Sequence, residues 1–383
     1  MATLQYCNIC NQALGEPVYV SPRNISVTSN ADIVPIPTQV YFCETCGHLE
    51  TPPFDNLESY YDTGYNILID SDDEDQLYQS VDGQKAFRAD FQLETLLKKQ
   101  TIPMDSKILD FGSGKGTTLR RLALRRPDIA YSLFDVSQAY VPFWEKFATP
   151  DQWATYTLPE RWNENFDLVI SFYVLEHVAE LREIVKNIVR VLKPGGKFYF
   201  LVPNVYANIG DFVVVDHVNH FSENSIYHLL ESSELSVVEI DTKTHDSAFI
   251  VTAQKKPAIE KRNLEIAPLT QRVNQISEYW NTVVERVQVF ETKHVNEPVA
   301  IYGAGFYGTY IATCLRNLSW VQCFIDQNPY KQNEKVLDKP IIVPDDLQEN
   351  IKIIYVGLNP RKAVTTIGAI STWSERGHTY FFL

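Results

Sequence analysis

The chain has 383 residues and a formal net charge of −14, with 45% hydrophobic and 21% charged residues. That length suits two or three domains, each able to bury a core, and the acidic balance sets nucleic acid and anionic membrane aside as partners. No apolar run approaches the ~20 residues that a bilayer demands, and the opening MATLQYCNIC has no basic stretch followed by an apolar one, so a cytoplasmic protein is expected.

Four of the six cysteines stand as Cys7-x-x-Cys10 and Cys43-x-x-Cys46. Each pair can bite from a tight turn, so the four thiolates suit one tetrahedral ion. The 32 residues between the pairs would form a small hairpin ribbon, with Val18 to Val20 and Gln39 to Phe42 as strands. Two disulfides or free thiols are the plainer alternative, but thiols in a cytosolic chain stay reduced. A structural Zn2+ in a zinc-ribbon-like unit over residues 1–53 is therefore expected, and a closed four-cysteine site does no chemistry.

Residues 54–83 carry turn signals and an acidic run from Asp70 to Asp75, which suits a solvated linker. The interleaved Tyr60, Tyr61, Tyr65 and Tyr78 would instead suit a lid over the domain that follows. Gly83 to Lys99 has the period of an amphipathic helix, with Phe87, Phe91, Leu93, Leu96 and Leu97 on its apolar side.

Residues 84–256 alternate strand and helix, which implies a doubly wound sheet. The stretch SKILDFGSGKG, Ser106 to Gly116, fits a buried strand entering a tight glycine loop and then a helix over Thr117 to Arg126. Its spacing is Gly-x-Gly-x-Gly rather than the Gly-x-Gly-x-x-Gly of a dinucleotide site, and alone it also fits an ordinary strand-to-helix turn. Ile129 to Asp135 is a second strand ending in a carboxylate, about 20 residues past the first glycine, where a ribose diol is held in such folds. Phe166 to Phe172 is a further strand, followed by VLEHV through Glu176 and His177 and a helix to Leu192. A turn at Lys193 to Gly196 leads to a strand over Lys197 to Val202. Glu223 to Glu231 is a helix, and Leu235 to Asp241 and Ser247 to Gln254 form a closing strand pair.

Residues 257–297 link to the last part. Leu269, Val273, Ile276, Trp280, Val283, Val287 and Phe290 make one apolar stripe on a long helix. A helix packed between domains is the first reading of that stripe, and a homodimer seam the second. In residues 298–383, Val299 to Tyr302 runs into Gly303-Ala-Gly305-Phe-Tyr-Gly308, which has the dinucleotide spacing, and Asp326 ends the next strand at Val321 to Asp326. With Ile351 to Val356 as a third strand, this is a half-size Rossmann-like α/β unit. Gly303, Gly305, Gly308 and Asp326 would hold the nucleotide part of a substrate, or the loop is purely structural.

LDFGSGKG, the strand-terminal Asp135, FDLVISFYVLEHV and LKPGGKF, in this order, resemble the class I S-adenosylmethionine-dependent methyltransferases over roughly residues 84–254. The resemblance implies a central seven-stranded Rossmann-like sheet with S-adenosyl-L-methionine as cofactor. It assigns Asp110, Gly112, Gly114, Gly116, Asp135, Val136, Ser171 and Tyr173 to the cofactor site. With the CxxC…CxxC unit and the C-terminal GxGxxG, the whole chain resembles the three-domain bacterial sugar C-methyltransferases, which act on nucleotide-activated deoxysugars. That likeness implies a small-molecule acceptor and proton chemistry at a Tyr-x-Glu-His cluster. Here the cluster reads Val214-Val215-Asp216-His217, so Asp216 and His217 take the Glu-His places, and His177 matches another active-site histidine. The tyrosine is Val214. Deprotonating carbon needs the base that this position helps to supply, whereas a hydroxyl acceptor needs one histidine, so C- and O-methylation both stay open. Three rival functions remain beside this one: a nicotinamide-dependent oxidoreductase using Gly303 to Gly308, a non-catalytic binding module on a methyltransferase fold, and a methyltransferase whose acceptor is RNA or protein, the RNA version being disfavoured by the acidic balance.

Overall fold

A computed structural model describes residues 5–55, 57–64, 71–81, 84–256 and 265–383. Tyr65, Asp70 and Gly83 lie outside the described residues. Contacts divide the chain into two units: Met1–Gly15, Phe42–Asn204 and Val218–Pro268 in the first, and Glu16–Tyr41, Val205–His217 and Leu269–Leu383 in the second. The packing thus shares residues 1–53 between the units. The cysteine pairs fold with the first, while Tyr19–Val20 and Gln39–Val40, which pair antiparallel as the expected hairpin, fold with the second.

The first unit is built on a seven-stranded sheet of β1 (Lys107–Phe111), β2 (Ala130–Asp135), β3 (Trp153–Thr155), β4 (Phe166–Phe172), β5 (Leu192–Pro203), β6 (Leu235–Asp241) and β7 (Ala248–Lys255), in the order β3-β2-β1-β4-β5-β7-β6. The first five strands run parallel, and β7 is antiparallel to both of its neighbours. The central strands are largely apolar because both faces are covered. Ile108, Leu168, Ile170, Tyr199 and Leu201 point to one core with Leu93, Leu96, Leu119 and Leu122. The alternate residues Leu109, Phe111, Val169, Phe198 and Phe200 point to another with Leu181, Val185, Ile188 and Leu229. These partners sit on helices α1 (Arg88–Lys99), α2 (Thr117–Arg125), α3 (Leu181–Val191) and α4 (Glu223–Glu231). The expected turn at Lys193 to Gly196 is a bulge inside β5. Phe166 pairs with Leu192 and Leu168 with Lys197, so the intervening residues loop out, with Gly195 at φ +78°.

Two expectations about the approach to this sheet are corrected. The amphipathic helix begins at Arg88 because Gln84–Phe87 is a strand, paired antiparallel with Leu77–Val81. The acidic run is solvated only in part, since Asp73 is exposed but the end of the run is not. Asp75 is 4% exposed, and its carboxylate accepts from the Ala89 amide at the start of α1, while Asp72 pairs with Lys146 at 2.6 Å.

The second unit holds a six-stranded sheet: β8 (Val299–Tyr302), β9 (Val321–Ile325), β10 (Lys335–Val336), β11 (Lys339–Ile342), β12 (Ile353–Val356) and β13 (Thr379–Phe382), in the order β10-β11-β9-β8-β12-β13. Only β10 runs antiparallel. Sequence reading found three of these strands. The others are a two-residue edge, a strand carrying Pro340, and a terminal aromatic run, none with the length or pattern of a buried strand. The long helix α5 (Ala267–Thr292) buries Val273, Ile276, Trp280, Val283 and Val287. Trp280 donates its indole N–H to Ile209 O at 2.8 Å and packs edge-on against Tyr310, so the stripe is occupied within its own unit. Among the described residues, no helix is long and apolar enough to cross a membrane.

Candidate active site

The glycine loop follows directly from β1. Gly112, Gly114 and Gly116 have φ of +73°, +50° and +70°, a region that side chains with a Cβ avoid. The amides of Gly112 and Ser113 both donate to Phe134 O, at 2.8 and 3.0 Å, which turns the chain back over the end of β2. The three glycines are needed for different reasons. A Cβ at Gly112 would collide with Val174, and one at Gly116 would stand 2.5 Å from Leu133 Cδ2, whereas one at Gly114 would find nothing nearer than Tyr140 at 4.0 Å. Gly114 is therefore the glycine whose backbone stays open to a ligand. Gly116 closes the packing of the loop and is not among the residues that line the cavity described below.

A cavity of about 780 Å³ opens at this loop, at the carboxyl ends of β1, β2 and β4, where ligands sit in open α/β sheets. Its size falls in the range of about 300–1,000 Å³ typical of small-molecule sites. Asp110, Gly112, Gly114, Asp135, Val136, Tyr173 and His177 line it. Ser171 does not. Its side chain is buried, and its Oγ makes no hydrogen bond among the described residues.

The cavity wall holds two buried acids. Asp135 Oδ2 accepts from the Gly114 amide at 2.8 Å and Oδ1 from the Ser137 amide at 3.2 Å. Burial pushes its carboxyl up to about 6 despite these donors. Asp110 is pushed further, to about 8, by burial and then by the neighbouring charge of Asp135. Lys115 lies under the same loop and donates to Ser71 O at 2.6 Å and Glu74 O at 2.9 Å, and burial lowers its pKa.

The segment before α1 closes over the cavity. Leu57, Ser59, Tyr61 and Asp62 line it, and the Tyr61 hydroxyl meets His177 Nδ1 at 2.7 Å. Asp62 is held from both sides, its carbonyl accepting from Ser137 Oγ at 2.9 Å and its carboxylate from the Tyr156 hydroxyl at 2.9 Å. Of the four tyrosines expected to form a lid, Tyr61 lines the cavity, while Tyr78 stacks on Phe91 at 4.1 Å. Sequence reading missed Arg88, Lys115, Asp62 and Tyr156 on the cavity wall. Lys115 lies inside the glycine motif, where only the glycines carried the signal, and the other three are lone polar residues outside any motif.

His217, Asp216 and the second glycine loop belong to the second unit. His217 is 9% exposed, and its Nδ1 lies 2.5 Å from Asp211 Oδ1. The two Asp216 oxygens accept from Ser29, from its amide and its hydroxyl at 2.7 Å each. In the loop after β8, a Cβ at Gly308 would run into Gly303 O, and one at Gly303 into Gly357 O. Gly305 is more open, with Lys331 Nζ at 3.9 Å as its nearest neighbour. Asp326 accepts from the amides of Ala304 at 3.0 Å and Asn328 at 2.9 Å.

The sulfur atoms of Cys7, Cys10, Cys43 and Cys46 lie within 4.8 Å of one another, and all four are free thiols. Two turns present them: the Asn11 amide returns to Cys7 O and the Gly47 amide to Cys43 O, with Gly47 at φ +72°. Four convergent soft donors on a pair of matched turns fit a zinc ion, which these four residues would hold.

A family model described as a methyltransferase domain matches residues 85–240. The chain is 30% identical over 95 residues, a quarter of its length, to a ribosomal RNA small subunit methyltransferase G of Acidothermus cellulolyticus. It is 31% identical over 119 residues, 29% of its length, to a ubiquinone biosynthesis O-methyltransferase of Idiomarina loihiensis. The matches span 43% and 49% of those relatives, so the chain spans about half the length of the curated relatives it matches. Among solved structures, an S-adenosylmethionine-dependent methyltransferase of Aquifex aeolicus aligns over 43% of this chain and 90% of its own, at 19% identity and a TM-score of 0.36.

Proposed function

We propose that this chain is an S-adenosylmethionine-dependent methyltransferase acting on a small-molecule acceptor, a nucleotide-activated sugar or a related carbohydrate. The observation that carries the methyltransferase reading is the cavity in which the open backbone of Gly114 meets the carboxylate of Asp135, within a domain that matches a methyltransferase family model. S-adenosylmethionine bound there supplies a methyl group already activated on a sulfonium. Gly114 lets the ligand lie against the backbone, and Asp135 is the acceptor for ribose hydroxyls. Tyr61 and Asp62 on the closing segment exclude water, which sharpens alignment of the reactants.

The acceptor class rests on the motif resemblance, and the net charge of −14 supports it against RNA. His217, held by Asp211, is the base assigned to the acceptor's proton, and imidazole suits that task near neutral pH. The four-cysteine cluster has a structural role in this scheme. Calorimetric titration with S-adenosylmethionine, beside an Asp135→Ala control, tests the cofactor. Micromolar binding that the control loses is the expected result, followed by methyl transfer to members of a nucleotide-sugar panel. No binding by zinc-loaded protein would leave a non-catalytic binding module in its place.

A further inference from the structure

In contact with Tyr173 of the cavity wall stands a histidine that takes no part in the scheme above. His245 lies on the loop between β6 and β7, is 7% exposed, and sits among Tyr78, Phe91 and Tyr173, with ring centres 5.0, 5.4 and 6.3 Å away. Its two nitrogens have different partners. The Ser247 amide approaches Nδ1 at 3.1 Å, and the Tyr173 hydroxyl stands 2.9 Å from Nε2. An amide N–H can only donate, so Nδ1 carries the lone pair and the imidazole proton is on Nε2. Nε2–H then donates to the Tyr173 oxygen. The phenol is thereby left to direct its own proton elsewhere.

Tyr173 lines the cavity, just past the end of β4, and holds the left-handed backbone φ of +59°. A bulky residue in that region is strained, and such strain gathers at ligand sites. Over its ring, at 4.2 Å, lies the Arg88 guanidinium, which also lines the cavity. Gln76 Oε1 anchors Nη1 of Arg88 at 2.7 Å, and the other guanidinium nitrogens make no hydrogen bond among the described residues. The other lining cation, Lys115, gives its protons to backbone carbonyls. The remaining charged groups on the wall, Asp62, Glu74, Asp75, Asp110, Asp135 and Glu180, are acids. Among the described residues of the wall, the Arg88 guanidinium is thus the cation with nitrogens left for an anionic ligand group.

We propose that Tyr173 and Arg88 form a carboxylate-binding subsite, with His245 as the positioning residue that sets Tyr173 as a proton donor. A phenol O–H and a planar guanidinium together match the two oxygens of a carboxylate. That group is either the amino-acid carboxylate of the cofactor or one on the acceptor. The inference rests on the methyltransferase reading for the first source only.

The test is titration of the full-length zinc-loaded protein with S-adenosylhomocysteine, with decarboxylated S-adenosylmethionine, and with benzoate in the presence and absence of S-adenosylhomocysteine. Tyr173→Phe and Arg88→Gln should each weaken binding of the carboxylate-bearing probe by roughly 10- to 100-fold, as expected for a hydrogen bond to a charged group. His245→Phe should do the same. His245→Gln, which keeps an acceptor for Ser247 and a donor for Tyr173, should recover most of the affinity, and a merely space-filling histidine would not show that split. If S-adenosylhomocysteine is weakened and the decarboxylated analogue is untouched, the carboxylate is the cofactor's. If benzoate alone is weakened, it is the acceptor's. Equal affinity of wild type and Tyr173→Phe for both carboxylate probes would overturn the subsite. A wild-type protein that binds no adenosyl ligand would sink the methyltransferase reading, and the benzoate arm on the unliganded protein would still decide this one.

Discussion

The Gly114 amide and the Asp135 carboxylate are joined at 2.8 Å, so the loop after the first strand is tied to the end of the second before any ligand arrives. The tie is made by an acid whose burial works against its charge, and a second buried acid, Asp110, stands beside it on the cavity wall. A site assembled this way is preorganised for a ligand that brings hydrogen-bond donors and positive charge. Its ligand-free form carries the cost of two confined carboxyls.

That cost has a pH signature. Burial raises Asp110 from 3.8 to about 8 in the folded chain, so the folded state holds a proton that the unfolded state has released. Stability from this group is complete below about pH 4 and falls as pH rises through about 8. Asp110→Asn removes the titration. The melting temperature of the ligand-free variant should therefore exceed that of wild type by several degrees at pH 8, a gain of roughly a few kcal/mol, and converge on it near pH 4. Melting curves that stay parallel across that interval would show that Asp110 is not confined as described.

The loop glycines separate stability from binding. Gly116→Ala meets Leu133 at 2.5 Å as well as the positive φ, and should cost roughly 2–4 kcal/mol. Gly114→Ala meets only the φ of +50°, at about 1 kcal/mol, yet places a methyl group where the ligand must approach. Thermal melts should rank Gly116→Ala as the worse fold. Titration with S-adenosylmethionine should show the larger affinity loss, at least about tenfold, in Gly114→Ala. A reversed ranking in the titration would place the ligand elsewhere.

The sheet was legible because its information is local. LDFGSGKG, FDLVISF and the strand-ending Asp135 carry apolar runs and turn residues that fall where β1, β4 and β2 lie. The helices over Glu223 to Glu231 and Leu181 to Val191 follow from their periodicity in the same way. What was not legible depends on partners distant in sequence. Gln84–Phe87 has helical spacing, but its pairing with Leu77–Val81 makes it a strand. Asp75 belongs to an acidic run, and only its bond to Ala89 shows that it is buried. The cavity's polar fittings are of this second kind: Tyr173 was flagged by motif, but nothing near His245 in the chain announces that it meets Tyr173 across 72 positions.

The four-cysteine cluster predicts a metal-dependent fold. Thiols at 3.4 and 3.6 Å, Cys10 with Cys43 and Cys7 with Cys46, join segments more than 30 positions apart. Elemental analysis should find one zinc per chain, and Cys43→Ser should lower that content. Because metal binding and local folding are coupled, chelation should destabilise the first unit by several kcal/mol, read as an earlier thermal transition. An unchanged transition in metal-free protein would remove the structural role assigned to the cluster.

His217, Asp211 and Asp216 separate into two functions that a turnover assay and a melt can tell apart. Asp211 Oδ1 stands 2.5 Å from His217 Nδ1 and so orients the ring. His217→Gln should lower methyl transfer by roughly 10²- to 10⁴-fold, the usual worth of a general base. Asp211→Asn should lower it by a smaller factor, through loss of the ring's anchor. Neither should change affinity for S-adenosylmethionine by more than about twofold if the base acts on the acceptor alone. Asp216 accepts two hydrogen bonds from Ser29 and is fully buried, so Asp216→Asn leaves one donor poorly paired. It should cost about 1–3 kcal/mol of stability, with turnover per folded molecule retained. Loss of turnover in Asp216→Asn at full thermal stability would return the base's anchoring to Asp216 and exclude Asp211 from that role.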